Sequence, residues 1–211
     1  MKTEAFTTQV ARWPSRGRHI LAQFDDTSVI VYQAYRASIG HHAAAHGDFL
    51  GGGFSLDRMS WIKPNFLWMM YRCGWAQKEG QEVVLAVSLL RTAFDEILAA
   101  AVPSSHDTRR YATREDWQRA VARSDVRLQW DPDHGPSGNP VERRAIQLGL
   151  RGRTLAQYAK PWIVSIEDIT PFVREQHIAF QRGGRDVLVT PREEVYPCAP
   201  ATAEQLGIDS E

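Results

Sequence analysis

Residues 58–75 read RMSWIKPNFLWMMYRCGW, and this stretch predicts an extended segment that turns directly into a helix. The first part, through Lys63, is typical of an extended chain. Pro64 suits the first turn of a helix that should run to about Cys73 and stop at Gly74. Such a helix start leaves free backbone N–H groups and a positive dipole end beside the preceding cationic side chains. The segment therefore predicts a place for a phosphate or pyrophosphate group.

The same stretch carries side chains that would surround such a group. Trp61 and Trp68 can supply a flat wall for a nucleobase or a nicotinamide ring. The polar and cationic candidates are Arg58, Ser60, Lys63 and Arg72. The alternative interpretation is that the tryptophans belong to a hydrophobic core and that the cations are solvated. The sequence leaves both open.

A second candidate segment is the strand predicted at residues 29–35, upstream of this stretch. Alternation places Tyr32 and Ala34 on one face of the strand and Gln33 and Tyr35 on the other. A polar side chain inside so apolar a strand needs a hydrogen-bond partner. That partner is either a neighbouring strand or a ligand.

Near the C-terminal end, the sequence PREEVYP at residues 191–197 places two adjacent carboxylates at the start of a late strand. Glu193 and Glu194 should point to opposite faces. A carboxylate held at a strand end can orient a hydroxyl group or stabilise a developing positive charge. Exposed glutamate pairs are also common on protein surfaces, so this pair alone is weak support for a site.

The remaining pattern predicts roughly as many strands as helices, without regular alternation. This argues against a doubly wound parallel sheet and for an α+β fold with mixed or antiparallel sheets. No Gly-x-Gly-x-x-Gly follows a predicted strand, and no Walker loop is present. We expect an irregular N-terminal segment at residues 1–18, a single α+β domain at 19–198 and a flexible tail at 199–211.

The composition is that of an ordinary globular protein and advertises no specialised partner. The 211 residues include 25 basic and 25 acidic side chains, and 43% are hydrophobic. Balanced charge argues against a membrane surface or nucleic acid as an obvious partner. Cys73 and Cys198 indicate free thiols in a reducing compartment. Since no apolar signal segment is evident either, we expect a cytoplasmic protein.

Two further groups of residues have alternative interpretations. His42 and His46 have the i, i+4 spacing that lets two imidazoles share an ion on a helix. Further ligands could come from the loop predicted after residue 130, namely Asp131, Asp133 and His134. The same loop is an ordinary turn sequence, and we expect no metal site. A basic stretch is either a solvated face or a contact for phosphate or RNA; its members are Arg143, Arg144, Arg151 and Arg153.

With these residues in place, the sequence resembles the family called domain of unknown function 4291. The matching stretches are VYQAY at residues 31–35, the segment at 58–75, RRAIQLGLRG at 143–152 and EDITPFV at 167–173. The resemblance runs from about Ile20 to Pro197. The family name implies no activity.

The order of three short motifs is similar to that of ADP-ribosyltransferase-like domains. Those domains have a strand with Tyr-His or Tyr-Arg before small residues, then a Ser-rich strand leading into a helix, then a Glu on a strand ending in an aromatic residue and Pro. The corresponding stretches are YQA at 32–34, MSWIKP at 59–64 and EEVYP at 193–197. Gln33 replaces the usual His or Arg, and one serine of the middle motif is present. Either Glu193 or Glu194 can fill the last place, with Glu193 favoured by its distance from the Tyr-Pro ending.

This second resemblance implies two small mixed or antiparallel sheets packed together with flanking helices. It implies that NAD binds as a substrate in a cleft between the sheets, with its pyrophosphate near Arg58 or Lys63. Glu193 would stabilise the oxocarbenium-like state as nicotinamide leaves, and Gln33 would be the second catalytic residue. The expected cofactor-binding residues are Tyr32, Tyr35, Arg58, Ser60, Trp61, Lys63, Trp68 and Arg72. The acceptor of ADP-ribose, whether protein, nucleic acid or small molecule, stays open.

Three other functions also fit the sequence. A nucleic-acid-binding or RNA-processing domain without NAD would contact its ligand through exposed tryptophans and five arginines: Arg16, Arg18, Arg143, Arg144 and Arg151. A metal-dependent hydrolase would use the His and Asp candidates. A non-catalytic module would bind a ligand only to sense it.

Overall fold

The computed structural model describes residues 1–108 and 110–209 and has the α+β fold that the sequence predicts. The strands of this part of the chain are β1 (Thr3–Ala5), β2 (Gly17–Arg18), β3 (Leu21–Ala22), β4 (Ser28–Tyr35), β5 (Ser60–Ile62), β6 (Val83–Leu90), β7 (Ala101–Pro103), β8 (Val126–His134), β9 (Pro140–Leu150), β10 (Ile163–Asp168), β11 (Val189–Pro191) and β12 (Glu194–Val195). Its α-helices are α1 (Phe6–Val10), α2 (Ala37–His46), α3 (Phe66–Cys73), α4 (Arg91–Ala99), α5 (Arg114–Arg123), α6 (Gly152–Ala159), α7 (Thr170–Gly183) and α8 (Pro200–Leu206). None of these helices is long and apolar enough to cross a membrane.

Local signals set several helix ends, among them the stop at Gly74 that the sequence predicts. Helices α2 and α3 stop before Gly47 and Gly74, whose φ angles of 71° and 57° are left-handed and favour glycine. Helix α5 starts after Thr113, whose side-chain oxygen accepts a 3.1 Å hydrogen bond from the backbone N–H of Asp116. These ends are decided within a few residues of chain.

A three-stranded antiparallel sheet, in the order β10-β6-β4, lies between two hydrophobic cores. Along β4, Val29 and Val31 face one core, whereas Tyr32 faces the other. On β6, Leu85 and Val84 divide in the same way. Burial on both faces explains why these two strands are almost continuously apolar. The alternation predicted for the two faces of β4 is confirmed.

A five-stranded mixed sheet is built around the antiparallel pair β8–β9. Strand β7 pairs in parallel with β8, and β9 pairs in parallel with β2 and antiparallel with β5. One face of this sheet packs on the first core through Leu128, Ile146 and Leu148. Helices α4 and α6 complete that core, while α1, α3 and α7 cover the second. The two larger sheets therefore pack together through the first core.

The two larger sheets meet where β4 passes β5. The backbone N–H of Tyr32 donates to the carbonyl of Lys63 at 2.7 Å, and the N–H of Lys63 donates to the carbonyl of Tyr32 at 3.3 Å. We call this junction the seam. It fixes the residues that follow β5, and with them the start of α3, against the middle of β4.

Several segments differ from the sequence-based expectation. Residues 131–134, expected in a loop, continue β8, and the strand β10 is absent from the prediction. The late strands pair with N-terminal strands, β11 with β1 and β12 with β3. The N-terminal segment expected to be irregular contains β1, α1 and β2. Where a flexible tail was expected, α8 packs on α4 and buries Leu206; residues 210 and 211 of that tail lie outside the described part.

Candidate functional site

A polar cavity of about 660 Å³ opens at the seam, and its lining brings together most of the side chains that the sequence marks as candidates. We call it the seam cavity. Seven of the predicted site residues line it: Gln33, Tyr35, Arg58, Ser60, Trp61, Lys63 and Arg72. Three do not: Tyr32, Trp68 and Glu193. These seven residues lie on β4, on or beside β5, and on α3. They cluster because the seam holds these elements together.

Four cationic side chains line the seam cavity: Arg36, Arg58, Lys63 and Arg72. Among residues 1–108 and 110–209, none of them has a carboxylate oxygen within 4.0 Å. Three of these side chains belong to exposed residues, whereas Lys63 is only 6% exposed. An excess of uncompensated positive charge in a concave site attracts anions.

Lys63 is the cation that the fold holds most firmly. Its backbone forms the seam, and its ammonium group has a single long hydrogen bond of 3.4 Å, to the carbonyl of Trp61. Burial, assisted by the positive charge of Arg72, lowers the pKa of Lys63 to about 8. An anion bound in the cavity would place a negative charge beside the ammonium group and so raise the pKa of Lys63 again. Lys63 is therefore poised to bind an anionic ligand.

A hydrogen-bonded network crosses the seam beside Lys63 and gives Gln33 the partner that its strand position requires. The Gln33 amide donates to the Ser60 hydroxyl at 2.8 Å, and its carbonyl accepts from the Tyr158 hydroxyl at 2.5 Å. The hydroxyl groups of Tyr35 and Ser60 are 2.8 Å apart. Both ends of the Gln33 amide are thus used to hold β4, β5 and α6 together. Gln33 lines the cavity with an orientation that the protein itself fixes.

The floor of the cavity is the outer face of the five-stranded sheet. Gln129 lies opposite Gln147 across β8 and β9, and Asp131 follows on the same face of β8. The indole of Trp61 lies against Gly149 on β9, where a Cβ atom would be 3.0 Å from the ring. Glycine at this position lets the indole lie close to the sheet and form part of the cavity wall. The cavity thus combines cationic, aromatic and acceptor-bearing surfaces.

Glu193 lies outside the lining of the seam cavity and is 1% exposed. Its carboxylate accepts hydrogen bonds from the backbone N–H of Phe66 at 2.6 Å and from the side-chain amide of Asn65 at 2.9 Å. Its own N–H donates to the Gln9 side chain, and its carbonyl accepts from the Trp13 indole, both at 2.8 Å. Glu193 thereby ties the N-terminal segment to the start of α3.

These contacts revise the anion site predicted at the start of α3. The helix begins at Phe66 rather than at Pro64. Two of its first N–H groups have partners inside the protein, since Phe66 donates to Glu193 and Trp68 donates to the Asn65 side chain at 2.7 Å. Burial raises the pKa of Glu193, and the bond from Phe66 opposes that rise. The place expected for a phosphate is occupied by the protein's own carboxyl group, so a phosphate must use the side-chain cations instead.

The other two predicted residues that do not line the cavity belong to the second core and its border. Tyr32 is fully buried and packs edge-to-face on Phe66, with ring centroids 5.5 Å apart. Trp68 is 3% exposed and stacks on His134, with ring centroids 5.3 Å apart. Their burial corresponds to the core interpretation of the aromatic residues. Glu194 is exposed and pairs with Arg192, so the two adjacent glutamates do point to opposite sides.

Comparison with known protein families identifies the family of this chain. The family described as Domain of unknown function (DUF4291) matches residues 19–196. The chain belongs to the DUF4291 family. A search of curated proteins found no match. The matched range of this DUF4291 protein contains every residue that lines the seam cavity, and Glu193 as well. The cavity is therefore part of the domain that the family describes.

The lining also contains residues that the sequence did not assign to this site, among them Arg36, Gln129, Asp131 and Gln147. Gln129 and Asp131 stand at alternate positions of β8, and Gln147 interrupts an apolar run on β9. Polar residues at alternating positions of a half-buried strand are a usable signal for a functional face. Asp131 was considered only as a metal ligand, because its turn-like sequence concealed the strand.

The groups considered for metal binding lie apart in this DUF4291 protein. In the described part of the chain, no three His, Cys, Asp or Glu side chains are arranged to hold an ion. The rings of His42 and His46 stack on each other with centroids 4.1 Å apart. Asp133 is buried in an ion pair with Arg143, at 2.6 Å. His42, His46 and Asp133 therefore contact other side chains of the protein and contribute to its structure.

The basic stretch does not form one cationic face. Arg143 is 8% exposed and is held by Asp133. Arg151 donates to the carbonyl groups of Val121 and Ser124 at 3.2 and 3.1 Å, next to the end of α5. Two of the arginines expected to contact RNA therefore make structural contacts, and the seam cavity is where cationic side chains converge.

Proposed function

We propose that this DUF4291 protein binds NAD in the seam cavity and transfers its ADP-ribose group to an acceptor. The single observation that carries the proposal is the convergence of four cations around a cavity, with Lys63 buried among them and, in the described part of the chain, no carboxylate oxygen within 4.0 Å of any of the four. A pyrophosphate carries two negative charges and accepts several hydrogen bonds at once. Arginine and lysine side chains are the groups that proteins use most directly to hold such an anion.

The aromatic wall supports a nucleotide rather than a bare phosphate as the ligand. Trp61 presents part of an indole to the cavity, where Gly149 allows it to lie close to β9. Stacking on such a ring suits the flat face of nicotinamide or adenine. The volume of about 660 Å³ falls within the range of cavities that bind small organic ligands. The order of the ADP-ribosyltransferase-like motifs around the seam favours NAD among nucleotides.

The proposed transfer breaks the bond between the nicotinamide nitrogen and C1′ of the ribose, and the bonding electron pair leaves with nicotinamide. A nucleophile of the acceptor forms the new bond to C1′ and loses its proton to solvent. The cavity would contribute by fixing the pyrophosphate, excluding water from the ring and stabilising positive charge on the ribose. The motif resemblance assigns the last role to Glu193, but its carboxyl group is engaged with Phe66 and Asn65. We therefore assign no step of the transfer to Glu193.

The proposal is tested by incubating the purified protein with NAD and measuring nicotinamide release by chromatography, with NAD affinity measured by calorimetry on the same samples. We expect binding and release by the wild type, and both should weaken at least about 10-fold in Arg72→Gln, because a charge-assisted contact is lost. Arg119→Gln is the matched control, since Arg119 is exposed on α5 and outside the lining. Binding without release would indicate a ligand-sensing module. Absence of both would refute the proposal.

A further inference from the structure

The seam cavity has an acidic side chain in its lining, among cationic side chains that do not contact it. Asp131 is the only carboxylate among the described residues that line the cavity. It shares the lining with four cationic residues, yet none of them comes within 4.0 Å of it. A carboxylate placed only to neutralise the cations would be expected in contact with one of them. Asp131 is instead held by neutral groups.

Those neutral groups are two glutamine side chains on the same face of the sheet. The amide of Gln129 donates to one oxygen of Asp131 at 3.0 Å, and the amide of Gln147 donates to the other at 2.7 Å. Gln147 is 7% exposed, so its amide is held in a well-packed position. Since an ionised carboxylate can accept about four hydrogen bonds, each oxygen keeps one further acceptor position. Asp131 is therefore oriented in the cavity with acceptor capacity left for a ligand.

We infer that Asp131 binds the hydroxyl groups of the ligand's sugar, and that the cavity therefore recognises a phosphorylated sugar rather than a phosphate alone. This inference rests on the proposed function, because it takes the phosphate to lie on the cationic side. A net-anionic ligand approaches Asp131 only with a part that donates hydrogen bonds. The vicinal hydroxyl groups of a ribose are such donors, and a carboxylate with one free position on each oxygen can accept from both.

The same position gives Asp131 a further role in the proposed transfer. A carboxylate that binds the ribose hydroxyl groups lies next to the carbon on which positive charge develops as nicotinamide leaves. Electrostatic stabilisation of developing charge by a pre-oriented group is a large contribution to catalysis. Gln129 and Gln147 are positioning residues in this account, since they act through Asp131.

The test compares two probes, inorganic pyrophosphate and ADP-ribose, by calorimetry in buffer with a chelator that removes divalent cations. Asp131→Asn keeps the size of the side chain and removes its charge. We expect this variant to bind pyrophosphate as tightly as the wild type or a few-fold more tightly, because a negative charge is removed. Its affinity for ADP-ribose should fall about 10-fold or more. Gln147→Leu, which removes one orienting amide, should show a smaller loss for ADP-ribose only.

The outcomes separate the inference from the proposed function. If wild-type protein binds pyrophosphate but Asp131→Asn loses affinity for both probes equally, Asp131 is structural and the inference is wrong. Unchanged ADP-ribose affinity in both variants would overturn it as well. If wild-type protein binds neither probe, the proposed function fails and the inference fails with it. Thermal unfolding of each variant shows whether a loss of binding comes from a loss of folding. If Asp131→Asn is unfolded, the ADP-ribose affinity of Gln147→Leu decides whether the inference holds.

Discussion

Replacement of Lys63 by methionine should raise the unfolding free energy of the protein and weaken its binding of an anionic ligand. Methionine has a similar length and volume but no charge, and it can stay in the buried position without an ammonium group. Lys63 is 6% exposed and carries its charge next to the positive charge of Arg72. Charge kept in such a place destabilises the fold, and it is retained at functional sites because a ligand uses it.

The magnitude follows from the pKa. Burial lowers the pKa of Lys63 from 10.5 to about 8, and each pKa unit corresponds to about 1.4 kcal/mol. Below pH 8 both folded and unfolded chains carry the charge, and the folded state is disfavoured by about 3 kcal/mol relative to a neutral side chain. Between pH 8 and 10.5 the unfolded chain binds more protons, so the unfolding free energy of the wild type rises with pH. Above 10.5 this penalty is gone.

Urea unfolding followed by tryptophan fluorescence at pH 7 and pH 10.5 measures this effect. Lys63→Met should raise the unfolding free energy by up to about 3 kcal/mol at pH 7 and should lose that pH-dependent gain at pH 10.5. Lys2→Met is the control, because Lys2 is exposed and does not line the cavity. A gain that is equal at both pH values, or a loss of stability at pH 7, would refute this account of Lys63.

Two further predictions concern the buried ion pair and the cavity wall. Asp133→Asn should lower the unfolding free energy by about 3 kcal/mol or more in urea titration, because the buried charge of Arg143 would lose its carboxylate partner; a change below about 1 kcal/mol would contradict the burial of this pair. Gly149→Ala should weaken ADP binding several-fold in calorimetry, since its Cβ would lie 2.6 Å from the Met59 sulfur and 3.0 Å from the Trp61 ring and would displace both lining side chains. Gly135→Ala, whose Cβ would have no neighbour nearer than 3.9 Å, should bind ADP like the wild type; equal effects of the two substitutions would show that the wall formed by Met59 and Trp61 is not part of the site.

Features decided by nearby residues could be predicted from the sequence. Gly47 and Gly74 end two helices because only a few residues determine a left-handed cap, and Thr113 begins a helix for the same reason. The alternation along β4 predicts which side Gln33 faces. The local patterns of residues 29–35 and 58–75 were sufficient to mark seven of the residues that line the seam cavity.

Features decided by distant residues could not be predicted. Glu193 accepts its hydrogen bonds from residues more than 120 positions earlier, so no local pattern shows that it holds the start of α3. Strands β11 and β12 pair with N-terminal strands, which are also far away in the sequence, so no local pattern shows these partners either. Pro132 made the sequence around Asp131 look like a turn. It lies on the part of β8 beyond the residues that pair with β7. Its missing N–H therefore removes no hydrogen bond between β7 and β8. The strand continued through a sequence that is typical of a turn.

Calorimetric titration of the wild-type protein with ADP and with adenosine, in parallel and at low salt, tests the central claim most directly. The two probes share the base and the sugar and differ only in the phosphates. If the seam cavity binds a nucleotide through Lys63 and the surrounding arginines, ADP should bind at least about 10-fold more tightly than adenosine, and added salt should weaken the difference. Equal affinity for the two probes, or no binding of either, would contradict the claim.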